Sequence, residues 1–243
     1  MDYGVGDGMK IFLYCSFKSS NGFKESTLDM QSNVLSAGCS KEISDIFCNV
    51  SDDVMLLSED MQGNLLFSLI GEKTSDYTKY LNIIFCDSDY NKICNIFAYT
   101  LRNYDLVVER LFSSIEKDMS IPKIEYNINT DVLHELTENA QKEGYQISNI
   151  ANKGGCLLSY VSLNPNTQYH PECPWSRKLF PGKRSSMVIQ ADLDAVQGNV
   201  EKYMEKLINV LENRGRKNIY RVLLCLGIIG LIIFIIVTII LKQ

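Results

Sequence analysis

Four residues carry the chemistry of a metal site: Cys156, His170 and Cys173, with His134 as a distant fourth. Zinc takes four nitrogen or sulfur donors in a tetrahedron, and structural sites usually bring them in closely spaced pairs. No such pair and no CxxC occurs here, so these are expected to be ordinary loop residues, with no metal bound. Carboxylates cluster at Asp52-Asp53 and at Asp87 and Asp89, either side of Ser88. Such pairs can share acid–base work, but both settings are those of solvated turns. The GxSxG, P-loop, HExxH and GxGxxG patterns are all missing, so neither an enzyme nor a cofactor is expected. With 24 Lys and Arg against 29 Asp and Glu, a net charge of −5, the chain lacks the basic balance of a nucleic-acid binder.

The chemistry that remains is association. Ile189, Leu193, Val196, Val200, Tyr203, Leu207, Val210 and Arg214 follow steps of 4, 3, 4, 3, 4, 3 and 4. That is the spacing of coiled-coil layers, sustained for about three and a half heptads. Gly198 lies inside the run and weakens an isolated helix by roughly 1 kcal/mol relative to Ala. So short a helix with its seam uncovered should fray until partner helices cover it. An arginine closing the seam must find acceptors on those partners, and so sets register more than it adds stability.

The element that must position this seam follows it directly. Residues 222–241 read VLLCLGIIGLIIFIIVTIIL, 20 residues without a charge. At about 1.5 Å per residue the helix is about 30 Å long, the thickness of a bilayer core. Buried core helices seldom run so far without a polar face, so a membrane span is expected. Arg214, Arg216, Lys217 and Arg221 precede it, and the positive-inside rule puts that flank in the cytosol. The first residues, MDYGVGDGMKIFLYCSF, do not have the pattern of a secretory signal. The expected topology is a C-terminal tail anchor with a cytosolic N-terminus. The same basic residues could attract anionic lipid at about 1 kcal/mol each. A span of this length suits the thinner membranes of the early secretory pathway. The eight cysteines should then be reduced, and the sequon Asn49-Val50-Ser51 silent.

Upstream, residues 9–17 form a candidate strand, and Leu28, Val34, Leu35, Ile43, Ile46 and Phe47 suggest a helix within 27–48. Strands are expected at 54–60, 64–70 and 80–85, the first two joined by Met61-Gln62-Gly63, a connection of hairpin length. Across 91–115, Ile93, Phe97, Leu101, Tyr104, Val108, Leu111 and Ile115 recur at helical spacing. A further helix is expected over 131–143, opened by Thr130 and Asp131 and stopped by Gly144. Four of the five prolines fall in 144–187, which predicts an irregular insertion or linker holding Trp175 and Lys183-Arg184. The fold class is α+β. The expected units are a sheet domain over 1–143, the linker, a short coiled-coil helix over 188–217, and the anchor over 222–241.

Two groups of residues carry a family likeness. Leu65–Ile70, Tyr80–Asp87, Asp89-Tyr90-Asn91-Lys92 and Ile96-Phe97-Ala98-Tyr99-Thr100-Leu101 resemble the second half of a longin domain. Asp192–Gln197, Asn199-Val200-Glu201-Lys202 and Leu211-Glu212-Asn213-Arg214-Gly215 resemble parts of an R-SNARE motif of the synaptobrevin superfamily, of the ER–Golgi type. The resemblance implies a profilin-like sheet flanked by helices. It also implies a vesicle-trafficking SNARE on ER, Golgi or transport-vesicle membranes, contributing one helix to a four-helix fusion bundle with Q-SNARE partners. A regulatory longin domain could bind vesicle coat proteins. The implied ionic-layer residue is Arg214 when heptads are counted from Ile189, or Lys206 when Asn199–Lys202 is aligned with the synaptobrevin pattern. The family motif spans roughly eight heptads and continues well past its arginine, whereas here seven residues separate Arg214 from the span. A non-fusogenic longin adaptor with a degenerate SNARE motif is therefore the alternative.

Overall fold

The structure, a computed structural model, describes residues 3–4, 8–18, 26–28, 54–59, 63–73, 78–118, 125–148, 150, 157–163, 189–213 and 224–231. In chain order the strands are β1 (Tyr3–Gly4), β2 (Lys10–Lys18), β3 (Ser26–Leu28), β4 (Val54–Glu59), β5 (Leu65–Lys73) and β6 (Thr78–Asp87). Helices α1 (Tyr90–Arg102) and α2 (Tyr104–Ser113), the β7 (Ile115–Asp118) and β8 (Glu125–Ile128) pair and α3 (Thr130–Gln141) come next. Then follow β9 (Leu157–Ser162), β10 (Ile189–Asp192), α4 (Leu193–Gln197) and α5 (Val200–Asn213). Residues 224–231 are also helical. The architecture is α+β, as expected, and compatible with a longin-like sheet flanked by helices.

Six strands run in the order β2-β6-β5-β4-β9-β10, and the short β1 and β3 pair with the two halves of β2. All neighbours are antiparallel except β9 and β10, which makes the sheet mixed. The β4–β5 hairpin turns through Gly63 at φ 84, in the left-handed region that glycine enters without cost. Alternate residues of the central strands point to opposite faces. One face carries Ile11, Met55, Leu57, Leu65, Phe67, Ile83 and Phe85, and α1 packs on it. Phe67 stacks with Phe85 at 5.8 Å and meets Phe97 of α1 edge-on at 5.2 Å. The other face, with Phe12, Leu56, Leu66, Ile84 and Tyr160, is buried as well, which explains why the strands read as apolar runs rather than as alternations.

Four expectations change. The single helix over 91–115 is two, parted at Asn103, whose side chain and backbone N–H both donate to the Tyr99 carbonyl. The break shifts the helical phase, so that Val107 is buried and Val108 only partly so. Second, 144–187 is not wholly irregular, because β9 lies within it and pairs with β4. Third, the segment read as a coiled coil from Ile189 opens instead as strand β10, where Ile189 pairs beside Ser159. Gly198 and Asn199 then separate α4 from α5 in a turn closed by a 2.8 Å bond from Asn199 N to the Val196 carbonyl. Fourth, the unit over 188–217 does not stand apart from the sheet domain, since β10 extends the sheet and α4 and α5 pack on α1. Helix α3 behaves as read, stopped by Gly144 at φ 71, although Asn129 rather than Thr130 caps its start.

Candidate functional site: the face that holds α5

The site begins with the N-terminus of α1. Asp89 caps it by accepting from the Asn91 N–H at 3.0 Å, and Asp87 accepts from the Asp89 N–H at 2.8 Å. Lys92 lies 3.5 Å from the buried Asp87 carboxylate, and the Tyr90 hydroxyl donates to Glu59. The carboxylates considered as a catalytic pair, Asp87 and Asp89, thus act as turn and cap groups, though Asp87 is buried and only Asp89 is solvated as expected. Their hydrogen bonds to backbone N–H groups place them among the usual partners of a helix start.

With its apolar stripe on the sheet, α1 presents Asn91, Asn95 and Arg102 along a second flank. Residues 143–148, an extended strap beyond α3, bind there. Arg102 Nε meets Glu143 at 2.9 Å and its guanidinium reaches the Tyr145 hydroxyl at 3.1 Å. Asn95 accepts from the Tyr145 N–H at 2.8 Å and donates to the Tyr145 carbonyl at 3.3 Å. Asn91 accepts from the Ile147 N–H at 2.7 Å. Two residues of extended chain cover about 6.6 Å and four residues of helix about 6 Å, so the strap and the helix stay in step. The strap runs antiparallel to α1, with the Tyr145 N–H and carbonyl and the Ile147 N–H satisfied by side-chain amides in place of a strand.

Helix α5 lies beside this strap. Arg102 also contacts Glu201, at the start of α5, at 2.8 Å. At the far end, Glu212 accepts from both the backbone N–H and the hydroxyl of Ser148 at 2.9 Å. α5 therefore runs antiparallel to α1 and is tied at both ends. Between the ties Val200, Tyr203, Met204, Leu207 and Leu211 are buried, continuing Leu193 and Val196 of α4. The Tyr203 hydroxyl and Ser159 of β9 form a buried hydrogen bond.

The electrostatics follow from these contacts. Partial burial works against the charge on Arg102, but its hydrogen bonds to Glu143 and Glu201 outweigh that and hold its pKa above the ordinary value. Glu201 is held below the ordinary carboxylate range by its own backbone N–H and then by Arg102. Burial pushes Tyr203 up to about 12 despite its hydrogen bond with Ser159. Burial, reinforced by Asp89, likewise pushes the Cys94 thiol up to about 12.

No family model, curated protein or solved structure matches the chain.

Of the residues the sequence singles out as coiled-coil layers, Leu193, Val196, Val200, Tyr203 and Leu207 come together on one buried face, while Ile189 joins the core from a strand. Val210 is only partly buried, and Leu211 takes the place a seventh layer would have. A straight helix repeats at 3.6 residues per turn, so a strict heptad seam drifts off its packed face by about 20° per heptad. Met204 and Leu211 are the residues such a drift brings in. Lys206, a candidate for the ionic layer, is exposed, off the buried face of α5. Arg214, Arg216, Lys217 and Arg221 lie outside the described residues, as do Cys156, His170, Cys173 and the sequon at 49–51. Of the helix expected in 27–48, Thr27 and Leu28 lie instead in strand β3, paired with β2, and the rest lies outside the described residues. His134 is exposed on α3, 3.6 Å from Glu138, and no group of three His, Cys, Asp or Glu poised for a metal occurs among the described residues. Within the expected anchor, 224–231 is helical with Leu224, Leu226, Ile228, Ile229 and Leu231 exposed, and the remainder of 222–241 lies outside the described residues. No helix among the described residues is long and apolar enough to cross a membrane.

The polar partners Asn91, Asn95, Arg102, Tyr145, Ser148 and Glu212 were not singled out from the sequence as a site. Asn91 and Asn95 stand four apart on a helix, which puts both on one flank. Nothing local says which distant segment that flank meets.

Proposed function

We propose that the chain is a tail-anchored vesicle-trafficking SNARE of the longin R-SNARE type, serving ER–Golgi transport, whose SNARE-like helix is held closed on its own sheet domain. One observation carries this reading. The layer residues Leu193, Val196, Val200, Tyr203 and Leu207, which would zipper with Q-SNARE helices, form the face by which α4 and α5 dock on α1 and β9. One apolar stripe cannot serve both contacts at once, so domain docking and bundle assembly compete. The rim of the docked helix is tied by Arg102–Glu201 and Ser148–Glu212. Exposed polar ties around an apolar contact are typical of interfaces that open and close.

In the open form, burial of the stripe in a four-helix bundle supplies free energy at about 25 cal/mol per Å², from which ordering costs are subtracted. α5 is described as far as Asn213, and eight residues, 214–221, lie between it and Val222. Even fully extended, the nine steps from Asn213 to Val222 reach at most about 32 Å, so the sheet domain stays close to the bilayer. Arg214, Arg216, Lys217 and Arg221 fill this short tether and suit it to anionic headgroups.

A second reading, the non-fusogenic longin adaptor, is favoured by β10, which makes the stripe's first residue part of the sheet, and by the burial of Met204 and Leu211 off the heptad. Full-length chain used as bait in a detergent extract separates the two. Recovery of Q-SNARE helices, increased by Arg102→Ala, is the expected result. Recovery of coat components with no SNARE helix from either protein would replace the first reading with the second.

A further inference from the structure

We infer that Ser148 is a phosphorylation site for a serine/threonine protein kinase and that phosphate there unfastens the C-terminal end of α5. The inference rests on the closed-helix reading, and it adds the switch. Ser148 is exposed, and it lies in the strap residues 144–148, which belong to no helix or strand. Kinases take their substrates as accessible chain outside regular secondary structure, and this segment lies outside any helix or strand. The hydroxyl donates to Glu212 at 2.9 Å, and the backbone N–H of the same residue donates to the same carboxylate oxygen at 2.9 Å. Within the strap, no other hydroxyl hydrogen-bonds to α5 among the contacts described.

In the reaction the Ser148 oxygen attacks the γ-phosphorus of ATP held by the kinase. The bond from that phosphorus to the bridging oxygen breaks, ADP leaves with its electron pair, and the hydroxyl proton passes to the kinase's base. The product replaces a donor with a group of charge near −2 that can only accept at neutral pH. Glu212 then faces like charge where it had a hydrogen bond. The position is also the last turn of α5, where the helix macrodipole already disfavours an anion. The Arg102–Glu201 tie at the other end is untouched, so α5 opens from its membrane-proximal end.

The test uses the full-length chain in detergent, with amide exchange read across Val200–Asn213. Ser148→Asp should speed exchange of the amides in 207–213 by about tenfold, the effect of about 1.4 kcal/mol of lost docking. Ser148→Ala, which deletes one hydrogen bond and adds no charge, should change it less than threefold. Ser148→Asp with Glu212→Lys should return exchange to near the wild-type rate, because the new anion then meets a cation. Equal exchange in Ser148→Asp and Ser148→Ala, or no rescue by Glu212→Lys, overturns the switch. Mass spectrometry of the chain from cells should show phosphate on Ser148, and its absence under phosphatase inhibition overturns the modification. None of these readouts involves a Q-SNARE helix, so they fail separately from the bundle reading.

Discussion

Arg102 at the end of α1 and Glu201 at the start of α5 meet at 2.8 Å, and the two helices then run antiparallel, so that Glu212, eleven residues on, reaches Ser148 beside Asn91, eleven residues back from Arg102. Equal offsets in two helices of equal rise keep both ends in register. That register depends on the strap that Arg102 and Glu212 both hold.

Leu211→Ala should cost more stability than Val210→Ala. Leu211 is fully buried, and truncating such a leucine removes about 2–5 kcal/mol, whereas Val210 is only partly buried and should lose under about 1 kcal/mol. Urea denaturation of both variants checks the order. If Val210 proves the costlier site, the heptad face rather than the 3.6-residue face is the one that packs.

Asn95→Ala should loosen the strap. The change leaves the Tyr145 N–H and carbonyl without their partner, a penalty of about 1–3 kcal/mol where water cannot replace it. Amide exchange at Tyr145 and Ile147 should rise more than exchange in the sheet. A uniform rise across the domain would mean that Asn95 supports the whole fold and not the strap.

Arg102→Lys should behave nearly as Arg102→Ala. Arg102 meets Glu143, Tyr145 and Glu201 through three different nitrogens, a fork that a single ammonium cannot reproduce. Both variants should show faster exchange at the first turn of α5, and near-complete rescue by lysine would show that charge alone makes the tie.

Alkaline pH should release α5. The buried Tyr203 hydroxyl has its pKa raised to about 12, against about 10 for an unfolded tyrosine. A raised folded pKa gives stability that is fully present below pH 10 and is lost as pH rises through 12. Cys94, also raised to about 12, adds a loss beginning near pH 9. Thermal unfolding followed from pH 8 to 12 should show a steeper decline in wild type than in Tyr203→Phe, which cannot ionise there. Matching curves would place the alkaline sensitivity elsewhere, with Cys94 the first residue to substitute.

Much of the sheet is legible as sequence because its signals are local. The apolar runs at 64–70 and 80–85 appear within β5 and β6, and Gly144 stops α3 where a left-handed residue is needed. Strand β9 is not legible because Leu157–Ser162 is a short run between Gly154-Gly155 and the proline-bearing stretch that begins at Pro165, and only its pairing with β4 and β10 makes it a strand. Ile189–Asp192 escaped for the opposite reason: its spacing extends the seam without a break, so periodicity assigns it to the helix that follows. The six polar partners around the strap come from three distant segments, 91–102, 145–148 and Glu212, and no local pattern links one segment to another.

By itself the sequence determined the α+β class, the central strands, helix α3, the stripe from Leu193 to Leu207 and the 20-residue apolar run at the C-terminus, since each depends on neighbours within about one turn or one strand. Tertiary structure decided what that stripe touches, which residue completes it after Leu207, and that Arg102 and Ser148 hold its two ends. The reason is geometric. An amphipathic helix states that one side must be covered, but which surface covers it depends on contacts between segments more than 40 residues apart, and no local pattern encodes these.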